Sequence, residues 1–140
     1  MRLGGPIFAE YDNPGQWVSA TRALEYGAVF CPVDLEAEDG QVKAYAGAAK
    51  GADITIAEVG AWSNPLSPDD ETRTEALEKC KKSLALAEAI GARCCVNIAG
   101  SRGDVWDGAH SGNLTPATFD RIVQTVREII DDVNPQRTFY

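Results

Sequence analysis

Between Glu58 and Asn64 the sequence places a carboxylate, an indole ring and an amide within a few residues, in the run Glu58-Val-Gly-Ala-Trp-Ser-Asn64. A carboxylate accepts hydrogen bonds from hydroxyl groups. A tryptophan offers a broad apolar face, and an asparagine amide both donates and accepts. Glu58, Trp62 and Asn64 are therefore candidate contacts for a hydroxylated small molecule. Each also has a structural reading. Glu58 can be satisfied by neighbouring backbone or an arginine, as a buried charge must be. Trp62 can plug the space above a strand end, and Asn64 can form a turn before Pro65, a use that suits this residue at least as well.

A second group of chemically capable residues lies in the glycine-rich run Gly100–Leu114, which carries the sole histidine of the chain. Unstructured loops of this length in compact domains usually serve a function or move. Arg102 can bind a phosphate or carboxylate, Trp106 can wall a pocket, and His110 can donate to a hydroxyl. A lone loop histidine reads first as a surface residue, and one histidine without partners does not define a metal site. The order Ser101-Arg-Gly-Asp104 is not a phosphate-cradling loop, which needs spaced glycines before Lys-Ser/Thr. Asp34, Glu36, Glu38 and Asp39 form an acidic stretch that reads as solvated loop, because its spacing does not fit a calcium loop. No nucleophile elbow, Ser/His/Asp set or dinucleotide fingerprint is present. No catalytic residue and no metal ligand are assigned within the chain.

These residues need elements to hold them, and the sequence alternates short apolar runs with helical patterns. Leu3–Phe8, Ala28–Leu35, Asp53–Trp62 and Arg93–Ala99 read as strands, the third apolar on both faces, as in parallel sheets. Asn13-Pro-Gly-Gln16 opens a first helix, with Asn13 as N-cap and Gln16 reaching back, running to about Tyr26 before Gly27. A second helix spans Gln41–Ala49. A third is expected to open at Ser67 with Pro68 in its first position and to bury Leu77, Cys80, Leu84, Ala87 and Gly91. Thr115-Pro116 starts a fourth, whose stripe of Phe119, Ile122, Val123, Val126, Ile130 and Val133 has helical spacing. Asn134-Pro135 ends it, and Arg137–Tyr140 begins a fifth apolar run. Successive βα units require a parallel sheet with right-handed crossovers. A domain seldom ends on an opening strand, so a chain that continues is expected.

Composition narrows the function classes. The chain has 140 residues, 44% hydrophobic and 24% charged, enough for one packed domain over residues 1–140. A net charge of −8 argues against a nucleic-acid partner, which calls for a basic surface. No apolar run reaches about 18 residues, so no membrane span is expected, and the N-terminal residues lack the features of a signal peptide. Cys31, Cys80, Cys94 and Cys95 contain no C-x-x-C spacing. They read as reduced thiols of a cytoplasmic protein.

Three segments in order carry a resemblance: Glu58-Val-Gly-Ala-Trp-Ser-Asn-Pro-Leu66, Leu84-Ala-Leu-Ala-Glu-Ala-Ile-Gly-Ala-Arg93 and Val96-Asn-Ile-Ala-Gly100. The chain resembles, over essentially its whole length, the N-terminal half of the sugar-phosphate isomerase/epimerase family with the xylose isomerase-like TIM barrel. The resemblance implies parallel βα repeats forming the first half, about four and a half units, of a (β/α)8 barrel. It implies an isomerase or epimerase acting on a sugar, sugar phosphate or polyol, with metal polarisation and proton transfer by carboxylates. The divalent metal (Mn, Mg, Co or Zn) would be bound by residues of the fifth to eighth strands, outside this chain. Glu58, Trp62, Asn64, Arg102, Trp106 and His110 would then be substrate contacts, and the chain alone would be inactive. Two other readings stand beside it: a non-catalytic half-barrel that assembles with another copy or chain, and a freestanding doubly wound α/β module that binds a small molecule at its strand ends.

Overall fold

The structure, a computed structural model, describes residues 1–140. Its elements are β1 (Gly4–Gly5), α1 (Pro14–Ala23), β2 (Ala28–Phe30), α2 (Asp39–Gly51), β3 (Thr55–Gly60), α3 (Asp70–Ile90), β4 (Cys94–Val96) and α4 (Pro116–Val133). All strand pairs are parallel, and the sheet order follows the sequence, β1-β2-β3-β4. A doubly wound sheet reverses its strand order at a switch point. An unbroken sequential order is that of a barrel wall, so the doubly wound alternative is set aside and the chain forms the first half of a (β/α)8 barrel. The fifth run joins as expected: Phe139 bridges Cys94 in parallel, its O accepting from Cys95 N at 2.7 Å.

Local chemistry explains most element boundaries. Asn13 Oδ1 accepts the Gln16 amide at 3.0 Å, and Gln16 Oε1 accepts the Asp12 amide at 2.7 Å, which closes the start of α1 from both sides. Helix α1 stops at Ala23, short of Tyr26, because Glu25 takes the left-handed conformation (φ 56°) and turns the chain before Gly27. Helix α3 is capped by Asp69, whose Oδ1 accepts the Thr72 amide at 2.8 Å, and not by Ser67. The Ser67 hydroxyl instead accepts the Asp69 amide at 3.2 Å, so the serine stitches the turn that delivers the capping carboxylate. Thr115 caps α4, and Asn134 at φ 50° ends it. The strands are shorter than their apolar runs: Pro6 and Pro32 lack the N–H that would extend the β1 and β2 ladders.

The core lies between the sheet and its helices. Val29, Ile56, Val59 and Cys95 point from the strands toward Trp17, Tyr45, Cys80, Leu84 and Ile129. The Trp17 and Tyr45 rings meet edge to face with centroids 5.6 Å apart. Strand β3 carries a bulge: Val29 pairs with Ile56 but Phe30 with Glu58, so Ala57 is the extra residue. The bulge lets Ile56 and Val59, three positions apart, both face the helices, each 3% exposed. Strict alternation would have turned one of them away.

The stripe on α4 differs from expectation. Ile129, outside that stripe, is its fully buried apolar residue, whereas Phe119 is 65% exposed and the other five are half-buried. Helix α4 leans on α3 through one edge of its apolar face, and the rest of the stripe meets no element of this chain as closely. On α3 the deeply buried set is Ala76, Cys80, Ser83, Leu84, Ala87 and Ile90, with Leu77 only half-buried and Gly91 at the exposed cap. No helix is long and apolar enough to cross a membrane.

Candidate functional site

The chemically loaded residues gather at the C-terminal ends of the strands, where barrel folds hold their sites. Glu58 and Gly60 lie on β3 opposite Cys94 and Val96 of β4. Glu58 is half-buried, and its carboxylate makes no hydrogen bond or ion pair within the chain. It lines a cleft of about 430 Å3 together with Phe30, Cys31, Asp34, Gly60, Trp62 and Lys79. The Cys94 thiol beside it titrates above its ordinary value, through burial first and the Glu58 charge second. Burial and the neighbouring thiols push Cys95, on the helix side, up to about 12. All four cysteines are free thiols.

Trp62 stands over the end of β3, 47% exposed. A Cβ on Gly60 would come within 2.5 Å of Trp62 Nε1, so only glycine lets the indole fold back across the strand end. The Trp62 carbonyl accepts Lys79 Nζ from α3 at 2.9 Å. Trp106, from the loop after β4, approaches the Trp62 ring edge to face at 6.4 Å between centroids and 65° between planes. Two tryptophans far apart in sequence thus form one exposed aromatic ridge.

Asn64 is 5% exposed, and both ends of its amide are engaged. Oδ1 accepts the Ser101 amide at 2.8 Å and Nδ2 donates to the Gly103 carbonyl at 3.3 Å. Gly100, at φ 92°, permits this approach, since a Cβ there would collide with Asn64 Oδ1. The Asn64 backbone carbonyl also closes the expected turn, accepting from Ser67 N at 3.1 Å. The loop that follows is tied together internally. Ser101 Oγ donates to the Gly108 carbonyl at 2.7 Å, and Asn113 Oδ1 accepts the Arg102 amide at 2.9 Å. His110 is exposed, with Nδ1 accepting the Gly112 amide at 3.1 Å. Arg102 is half-buried and pairs with no carboxylate.

Glu58, Trp62 and Trp106 therefore come together, while Asn64 braces the loop that carries Trp106. Arg102 and His110 sit in that loop and line neither cleft at the tryptophan ridge. Lys79 has no distinguishing signal in the sequence, where Glu75 and Lys79 at helical i,i+4 spacing look like an ordinary surface pair. Asp104 carries no distinguishing signal in the sequence, being one acid in a polar loop. No group of three or more His, Cys, Asp or Glu side chains could hold a metal ion, so these residues do not fit a metal centre.

Residues 18–137 match the model of the family described as "Xylose isomerase-like TIM barrel". None of the curated proteins matches the chain. Among solved structures, D-psicose 3-epimerase from Clostridium cellulolyticum H10, determined with D-tagatose, is 18% identical with a TM-score of 0.63, over 96% of this chain and 49% of that one. A putative xylose isomerase from Rhodospirillum rubrum is 19% identical with a TM-score of 0.66, over 95% and 49%. A xylose isomerase-like TIM barrel protein from Mycobacterium smegmatis, solved in complex with magnesium, is 13% identical with a TM-score of 0.55, over 98% and 56%. Identities this low speak to the fold, and the chain spans about half the length of these structures. With the sequential parallel sheet and a family match over most of its length, the chain belongs to the xylose isomerase-like TIM barrel family, whose structural neighbours here include sugar epimerases.

Proposed function

We propose that this chain, read as one domain over residues 1–140, supplies the substrate-facing wall of a sugar isomerase or epimerase. The observation that carries the reading is Glu58: a half-buried carboxylate without a protein partner, in a cleft of about 430 Å3 beside Trp62. A carboxylate in that position is completed by hydroxyl donors, and the indole by the apolar face of a sugar ring. Trp106 is proposed as a further substrate contact and Asn64 as the brace of its loop, while Arg102 and His110, in the same loop but lining neither cleft, are given no substrate contact. The family's divalent metal (Mn, Mg, Co or Zn) would be held outside this chain, whose own donors do not form a centre. No catalytic step is assigned to the residues present, and the chain alone is proposed to be inactive. Free thiols suit a cytoplasmic location.

Titration with D-tagatose and D-fructose, followed by tryptophan emission and calorimetry, tests the reading. Binding that weakens about tenfold or more in Glu58→Gln supports it. Absence of saccharide binding by the folded protein, or tight binding of Mn by this chain alone, would overturn it.

The open inner face of the sheet favours a second reading, a non-catalytic half-barrel that closes against another copy or chain. Phe30 and Phe139 are 45% and 74% exposed on that side. Mass in solution decides it, since a strictly monomeric, folded species counts against assembly.

A further inference from the structure

The ridge made by Trp62 and Trp106 has a cleft on each side. The first is the Glu58 cleft. The second, of about 500 Å3, lies between the start of α3 and the loop after β4, and its wall includes Ser63, Thr72, Glu75, Lys79, Asp104 and Trp106. Lys79 lines both clefts, and its ammonium group is anchored on the Trp62 carbonyl, so the two hollows meet at this point. Either volume is large enough for a small ligand to lie in the open cleft. Trp106, 40% exposed, turns toward the second hollow as Trp62 turns toward the first.

Charge selects the class of ligand. Asp34 and Glu58 line the first cleft, Glu75 and Asp104 the second, and Lys79 is the one cation shared between them. Carboxylates in excess repel a phosphate and accept hydrogen bonds from neutral hydroxyls. Arg102, the residue best suited to a phosphate, lines neither hollow.

We infer that the ligand is a neutral saccharide of at least two rings, or a glycoside with a ring-sized aglycone, lying across the tryptophan ridge with one ring in the Glu58 cleft and the next against Trp106. The inference rests on the reading of the Glu58 cleft as a sugar site, and it names a substrate class within that reading. A monosaccharide would fill the first cleft and leave the second to water. A sugar phosphate would meet carboxylates in both.

Calorimetric titration of the protein with D-fructose, D-fructose 6-phosphate, and the disaccharides sucrose, maltose and cellobiose separates these cases. The best disaccharide is expected to bind about tenfold tighter than D-fructose, the gain of one further stacked ring, and the phosphate ester weaker than D-fructose. Trp106→Ala is expected to bring the disaccharide-to-fructose affinity ratio down to about one. Disaccharides no tighter than D-fructose, or a phosphate ester that binds tighter than it, would overturn the two-ring ligand and leave the sugar site standing. Failure of every saccharide to bind, with the emission of buried Trp17 showing an intact core, removes both.

Discussion

The Asn64 amide and the Ser101 backbone N–H meet at 2.8 Å across 37 residues of sequence. With its other end on the Gly103 carbonyl at 3.3 Å, Asn64 locks the loop after β3 to the loop after β4. Each loop presents one tryptophan, and the lock holds the two rings in their edge-to-face arrangement. The aromatic ridge is thus a product of one buried side chain that need not touch a ligand at all.

Replacing Asn64 by Ala leaves the Ser101 amide, in a residue 1% exposed, without an acceptor. A buried unpaired donor costs about 1–3 kcal/mol, and Asn64→Ala is expected to lose that much stability in urea denaturation. Trp106 should move toward solvent, shifting emission to the red. A loss below about 0.5 kcal/mol, the range of ordinary surface changes, would show that the lock contributes little.

Gly60→Ala probes the ridge from below. The added methyl group occupies the space of Trp62 Nε1, 2.5 Å away, so the indole must rotate off the strand end. The near-ultraviolet circular dichroism of the coupled tryptophans should fall, with far-ultraviolet signal and cooperativity of unfolding retained. An unchanged aromatic spectrum would contradict the packing described.

Glu88 gives a pH signature. Burial opposes its charge, but hydrogen bonds from the Arg137 side chain and from the Arg137 and Thr138 amides outweigh that and hold its carboxyl at about 2, against an ordinary 4.5. Because the folded value is depressed, the stabilisation is fully present above pH 4.5 and is lost as pH falls toward 2. The difference in Tm between the unmodified protein and Glu88→Gln should be largest above about pH 5 and close progressively below pH 4.5. A gap that stays constant with pH would mean the charge is not what ties the fifth run to α3.

Leu84 and Phe119 form a contrasting pair. Leu84 is fully buried, and Leu84→Ala should cost about 2–5 kcal/mol by cavity formation. Phe119 is 65% exposed, so Phe119→Ala should change stability by no more than about 0.5 kcal/mol. Chemical denaturation of both variants checks the reversal of core roles on α3 and α4. A costly Phe119→Ala would mean that its ring is covered in solution.

What was legible in the residues was local chemistry. Asn13 and Thr115 announce the helices they cap, because an N-cap acts within three residues of itself. The βα rhythm and the position of Glu58 at a strand end followed from apolar spacing. The bracing role of Asn64 is not legible in the sequence because its partners lie 37 and 39 positions away, and no local pattern encodes such a bond. The Ala57 bulge was hidden for a similar reason: it is defined by pairing with β2, not by β3 alone. Periodicity does not distinguish Ile129 on α4, because it identifies an apolar face but not which edge of it meets a neighbour.

The sequential strand order bears on how the molecule comes to be made. Each strand pairs with the one before it in the chain, across a single helix, as Gly4 does with Ala28 and Glu58 with Cys94. Parallel pairing across a helix forms more slowly than the local contacts within the helices themselves. A nascent chain can close β1 on β2 once β2 has followed α1 out of the ribosome, and then lengthen the wall one unit at a time. Folding of this half of the wall can follow synthesis, one βα unit at a time.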